Sequence, residues 1–229
     1  MRILITGFEP IWGVKKTPSG DFAKLWQDGS LSIAGVEIKS LVLPQVYGKS
    51  TDIVVGEIAA WHPHAVLMFG ATQHNDPLRL ERFAINCEKT PMGDNTRIPI
   101  KDRPVVRGGP SAYESTLPVH RLVEHLNEMG IWSKASYKAG THTCNSLMYG
   151  VLHWLATHET PHRIVAGFMH VSFPNEYGVI EDALWSTATF EGIVKAGLVL
   201  TEKVRDWYLQ TQMGQDSSLS NISMKKATR

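Results

Sequence analysis

Residues 65–70, AVLMFG, form a run without a polar side chain, closed by glycine. A stretch this short and this apolar reads as a strand buried on both faces, the kind that lies at the centre of a parallel sheet. The segment ahead of it, STDIVVGEIAAW (50–61), has apolar residues at helical spacing behind Ser50 or Thr51 as a cap, and it stops at His62 and Pro63. Earlier still, VEIKSLVLP (36–44) reads as a strand ended by Pro44, whose missing N–H breaks the ladder. Strand, helix and strand therefore follow one another around the central run.

The alternation extends in both directions. RILITG (2–7) is a buried strand entering a turn, and Asp21 is the expected cap of a helix bearing Phe22, Leu25 and Trp26 on one face. Downstream, SAYESTLPVHRLVEHLNEMG holds a helix ended by Gly130, WSKASYKAG a strand, TCNSLMYGVLHWLATH a helix and RIVAGFMHVSF another strand. A last helix is expected near 181–209, with Trp185, Phe190, Ile193, Val194 and Leu198. The pattern predicts an α/β protein whose mostly parallel sheet is covered by helices on both faces, with ligands beyond the carboxyl ends of the strands. One domain over residues 1–211 accounts for it, and the polar stretch 212–229 reads as a mobile tail.

Composition narrows the function. With 229 residues and 43% hydrophobic content the chain can bury a sizeable core. The 23 Lys and Arg residues against 22 Asp and Glu leave a formal charge of +1, too small a field to draw in nucleic acid or an anionic membrane. The expected partner is a small molecule or peptide. The opening MRILITGFEP has neither the long apolar region nor the cleavage site of a signal peptide, and no segment approaches the roughly 20 apolar residues that span a bilayer. Two cysteines, Cys87 and Cys144, make no disulfide framework, so free thiols in a reducing cytoplasm are expected.

Cys144 stands just ahead of an amphipathic helix that carries Leu147, Val151, Leu152 and Leu155. A helix N-terminus offers unpaired N–H groups and about half a positive charge, which favour thiolate over thiol and can receive an oxyanion. Position alone leaves two readings open, a nucleophile or an inert buried thiol. A nucleophile needs a base. Of the ten histidines, His170 follows the apolar run IVAGFM and so sits at a strand's carboxyl end, where catalytic groups of α/β proteins collect. His142 is nearer in sequence, but a residue two positions away in a turn seldom aims its ring at its neighbour. Glu81, in LRLERFAINCE, is one carboxylate among many on this ground alone.

The combination TGFEP (6–10), PS (18–19), ERFAIN (81–86), AYESTLP (112–118), AGTHTCN (139–145) and GFMHV (167–171) resembles, in order and over about residues 1–180, the signatures of the pyroglutamyl peptidase I family of cysteine peptidases. The resemblance implies a three-layer α/β/α sandwich and a cytoplasmic homo-oligomer, a dimer or tetramer. It also implies removal of an N-terminal pyroglutamyl residue without a metal or other cofactor. By motif it assigns Cys144 as nucleophile, His170 as base and Glu81 as the group that orients the base.

The departures fall in the substrate pocket. Phe8 is kept from the family's pocket aromatics, but Ile11 replaces a phenylalanine, Ala71 a lactam-recognising glutamine, and His142 an aromatic residue. Lys89 and Pro91 stand where the family has Asp and Arg. These exchanges alter volume and polarity, so two other readings accompany the first: the same triad acting on a different N-acyl or cyclic amide, and a non-catalytic binding protein on the same scaffold.

Overall fold

The computed structural model describes residues 1–11, 14–72, 78–174 and 189–226, with side chains to Met213. The run that opened the reading becomes β3 (Ala65–Thr72), buried along six of its eight residues. It is flanked by β1 (Arg2–Phe8) and β10 (Val165–Ser172), both parallel to it. Outside β1 lies β2 (Glu37–Leu43), also parallel. Beyond β10 the sheet reverses: β4 (Leu78–Glu81) pairs antiparallel with β10, and β9 (Ser133–Ser136) pairs parallel with β4. The resulting order is β2-β1-β3-β10-β4-β9.

Side-chain alternation splits the core into two layers. Ile3, Ile5, Leu67, Phe69, Met169 and Val171 point to one face. There they meet α1 (Pro18–Gln27), α3 (Val119–Glu128) and α5 (Phe190–Lys226), through residues such as Phe22, Leu122 and Leu200. Leu4, Val66, Met68, Ala166 and Phe168 point to the other, beneath α2 (Lys49–Trp61) and α4 (Thr143–Thr157). Helix, sheet and helix form the expected three-layer sandwich. Short strands β5 (Phe83–Ile85) with β8 (Ala112–Glu114), and β6 (Glu88–Thr90) with β7 (Ile100–Arg103), form two antiparallel pairs beside the main sheet.

Some boundaries differ from those expected. Helix α1 is capped at Thr17 and begins with Pro18, so Asp21 lies inside its first turn and pairs with Lys24 at 3.0 Å. Proline's fixed φ suits the first helical position, and that signal outweighs an aspartate three residues on. The early start also explains Gly7, where a Cβ would fall 1.9 Å from the Ser19 carbonyl oxygen at the head of α1. The last helix starts at Phe190, and Trp185 lies outside the described residues. It continues through 212–226, the stretch expected to form a mobile tail. Among the described residues no helix is long and apolar enough to cross a membrane.

Candidate active site

Residue parity in β10 places His170 on the same face as Ala166 and Phe168, the face that α4 covers. Cys144, the second residue of α4, meets it there. The approach depends on Gly70, which pairs with His170 in the adjacent strand. A Cβ on Gly70 would lie 3.0 Å from Cys144 Sγ and 2.6 Å from Phe168 Cζ. Glycine in the central strand thus makes the space that the thiol occupies.

The third residue arrives from β4. The antiparallel register sets Glu81 opposite Phe168 and diagonal to His170, a step that a long side chain can bridge. His170 Nδ1 donates to Glu81 Oε1 at 2.7 Å. Glu81 is wholly buried and His170 nearly so. Burial lowers the imidazole's proton affinity, but hydrogen bonds and charge at Cys144 and Glu81 outweigh it and raise the pKa to about 9. With Nδ1 committed to Glu81, the ring's other nitrogen is the one that serves the thiol.

The head of α4 is fastened independently. Asn145, fully buried, accepts Ile85 N–H at 2.8 Å and donates to the carbonyls of Ile85 and Cys87 at 2.9 and 3.0 Å. Ser146 donates to Glu88 at 2.6 Å, and Arg103 holds the other Glu88 oxygen at 2.7 Å. The first intrahelical bond runs from Ser146 N–H to the His142 carbonyl at 3.1 Å. Earlier N–H groups of the turn lie next to the thiol, where a carbonyl oxygen under attack would gather charge.

A cavity of about 310 Å³ opens over these groups at the carboxyl ends of the strands. Cys144, His170, Ile11, Ala71 and His142 all line it, and Phe8 does not. Phe8 is 1% exposed and packs against Phe168, ring centroids 6.5 Å apart, in the core under the cavity. Sequence reasoning passed over Gln45, Val14 and Phe173, which complete much of the wall. His142 does not face its neighbour's thiol: its Nε2 donates to the Gly93 carbonyl at 3.3 Å, and Nδ1 lies 3.0 Å from Thr143 Oγ1. Burial holds its pKa below the ordinary value. Thr143 in turn donates to Gln45 Oε1 at 2.8 Å. Both cysteines are free thiols. Among the described residues no group of three or more His, Cys, Asp or Glu could hold a metal ion.

A profile of the pyroglutamyl peptidase family, peptidase family C15, matches residues 1–200. The chain belongs to that family. It is 37% identical over 205 residues to the pyrrolidone-carboxylate peptidase of Coprothermobacter proteolyticus, covering 90% of this chain and 97% of that one. It is 35% identical over 173 residues to the Pyrococcus furiosus protein of the same name, covering 76% and 81%. Among solved structures, pyrrolidone carboxyl peptidase from Pyrococcus furiosus superimposes with a TM-score of 0.83 at 30% identity, over 91% of this chain and all of that one. Pyroglutamyl peptidase I from Bacillus amyloliquefaciens gives 0.78 at 29% identity, over 87% and 94%. Membership of the pyroglutamyl peptidase family makes this chain a cysteine-type peptidase, with a mostly parallel α/β sheet like that of its relatives.

Proposed function

We propose that this protein removes N-terminal pyroglutamyl residues from peptides by thiol catalysis, with Cys144 as nucleophile, His170 as proton carrier and Glu81 as the group that fixes the imidazole. The observation that carries the reading is the line from buried Glu81 through buried His170 to half-buried Cys144, with His170 Nδ1 held at 2.7 Å from Glu81. The Cys144 sulfur attacks the pyroglutamyl carbonyl, and N–H groups at the head of α4 receive the oxyanion. His170 gives its proton to the leaving amine, a transfer that suits an imidazolium of pKa about 9. Water, deprotonated by the now neutral His170, hydrolyses the thioester and restores the thiol. Glu81 holds the ring in orientation throughout.

The test compares a pyroglutamyl amide with a prolyl amide, which lacks the ring carbonyl. Rapid release from the first and little from the second supports the proposal, and no release from the first overturns it. A second reading, hydrolysis of another N-acyl or cyclic amide by the same three residues, draws on the cavity wall. Ile11, Ala71 and His142 line the space beside the thiol, and His142 brings a polar ring to it. Faster turnover of a larger N-acyl amide than of the pyroglutamyl amide would favour that reading. We also propose that the protein works in the cytoplasm as a homo-oligomer, dimer or tetramer; two free thiols fit a reducing compartment.

A further inference from the structure

We propose that Asn95 is a positioning residue of this site: it pins two loops of the cavity wall to each other, and the spacing so fixed selects the size of the ring that fits beside Cys144. The inference rests on the reading of this cavity as the substrate site. Asn95 belongs to the loop 91–99 that joins β6 to β7, and no residue of that loop lines the cavity. The loop stands behind the wall and acts on it through hydrogen bonds.

Strands β1 and β2 run side by side, and the chain leaving each one supplies a wall residue, Ile11 from the first and Gln45 from the second. Asn95 Nδ2 donates to Glu9 Oε1 at 3.0 Å and to the Pro10 carbonyl at 3.1 Å, and Asn95 N–H donates to the Gln45 carbonyl at 2.9 Å. The last ladder bond between the two strands runs from Glu9 N–H to the Leu43 carbonyl at 2.9 Å. Beyond it the direct bonds are longer: Gln45 N–H reaches Glu9 Oε1 at 3.3 Å, and Gln45 Nε2 reaches the Glu9 carbonyl at 3.4 Å. Those distances lie at the weak end for N–H···O bonds, so the bridge through Asn95 is the firmer link.

The loop is stiff enough to serve as a bracket. Buried Asp94 accepts Thr96 N–H at 2.8 Å and Thr96 Oγ1 at 2.6 Å through one carboxyl oxygen, and Tyr47 N–H at 2.8 Å through the other. Arg97 N–H closes the turn on the Asp94 carbonyl at 2.8 Å. Gly93 has a φ of 76°, and a Cβ there would fall 2.6 Å from Ile98 N, so glycine suits the place. Its carbonyl accepts His142 Nε2 at 3.3 Å, which ties a third part of the wall to the same loop. The reactive residues are held elsewhere, the head of α4 by Asn145 and Ser146 and the imidazole by Glu81. Loss of the Asn95 donors therefore loosens the recognition wall and leaves the nucleophile in place.

The experiment measures protection of Cys144 from iodoacetamide, in a Cys87→Ser background, by 2-pyrrolidinone and by 2-piperidinone, lactams that differ by one methylene. With Asn95 in place the smaller ring is expected to protect at about tenfold lower concentration, the discrimination that a close-fitting wall gives for one methylene. Asn95→Asp keeps the shape and an acceptor but removes both side-chain donors. It is expected to bring the two concentrations within about threefold of each other, and to raise KM for the pyroglutamyl amide about tenfold with kcat within about twofold. Should Asn95→Asp fail to fold, Asn95→Ala serves the same comparison. A ring preference kept in full after the substitution overturns the proposal, and so does the lack of any preference with Asn95 in place. A fall in kcat at constant KM overturns it too, because general loosening of the scaffold reaches Cys144 as readily as the wall. Protection is read without turnover. An enzyme inactive on pyroglutamyl amides would therefore sink the proposed function while the ring preference still judged Asn95.

Discussion

His170 and Glu81 meet across the antiparallel pairing of β10 with β4, Nδ1 to Oε1 at 2.7 Å, although the register sets Glu81 opposite Phe168. Because β4 runs back along β10, its last residue lies at mid-strand, diagonal to His170, and a carboxylate far away in sequence becomes the imidazole's partner. Glu81→Gln keeps the shape and removes the charge. We expect kcat to fall by about 10²-fold or more while some turnover remains, and the alkaline limb to move down from about 9 as His170 loses its carboxylate. An unchanged pH profile would show that Glu81 does not act on His170.

The same shift makes a stability prediction. His170 has a folded pKa near 9, above its unfolded value near 6.5, so the folded state binds the proton more tightly. The stability gained is fully present below about pH 6.5 and is lost as pH rises toward 9. Thermal melts across that window should show a falling Tm, and the slope should flatten in His170→Gln. Equal slopes for the two proteins would contradict the assignment.

Gly70 tests the geometry of the thiol. In Gly70→Ala the new methyl group would meet Cys144 Sγ at 3.0 Å and Phe168 Cζ at 2.6 Å. Overpacking of this kind costs about 1–3 kcal/mol, and here part of the strain displaces the nucleophile. Chemical denaturation should show the loss, and kcat should fall more than tenfold with Cys144 still present. Turnover and stability both at the original level would mean that the strand yields freely.

His142 tests the cavity. Burial holds its pKa below the ordinary value, so the ring is neutral at neutral pH and gains charge only in acid. A cationic ring in the wall disfavours a neutral lactam. KM for a pyroglutamyl amide should therefore rise as the solution is made acidic, and His142→Phe should remove that rise. A KM that stays level in acid with His142 in place would separate this residue from substrate binding.

The fold was largely legible because its central strands are unbroken apolar runs. AVLMFG and IVAGFM cannot be placed anywhere but the middle of a sheet, and each helix between strands carries its own apolar stripe. Cys144 and His170 were legible for the same reason, since a helix start and a strand end are local features. Glu81 was not. The role proposed for it depends on the antiparallel return of β4, a strand of four residues with no periodicity to announce it, and only the family resemblance singled it out. Gln45 was hidden as well, because its side chain reaches the cavity through Thr143, which is distant in sequence. Phe8 shows the opposite failure: its motif suggested the pocket wall, but as the last residue of β1 its parity turns it into the core beneath.

The most direct test of the whole account is turnover of a pyroglutamyl amide by the unaltered protein and by Cys144→Ser, with His170 and Glu81 intact in both. The account predicts rapid hydrolysis by the first and a loss of about 10³-fold or more in the second, because the hydroxyl is a far poorer nucleophile than the thiolate. Comparable turnover in Cys144→Ser would contradict it.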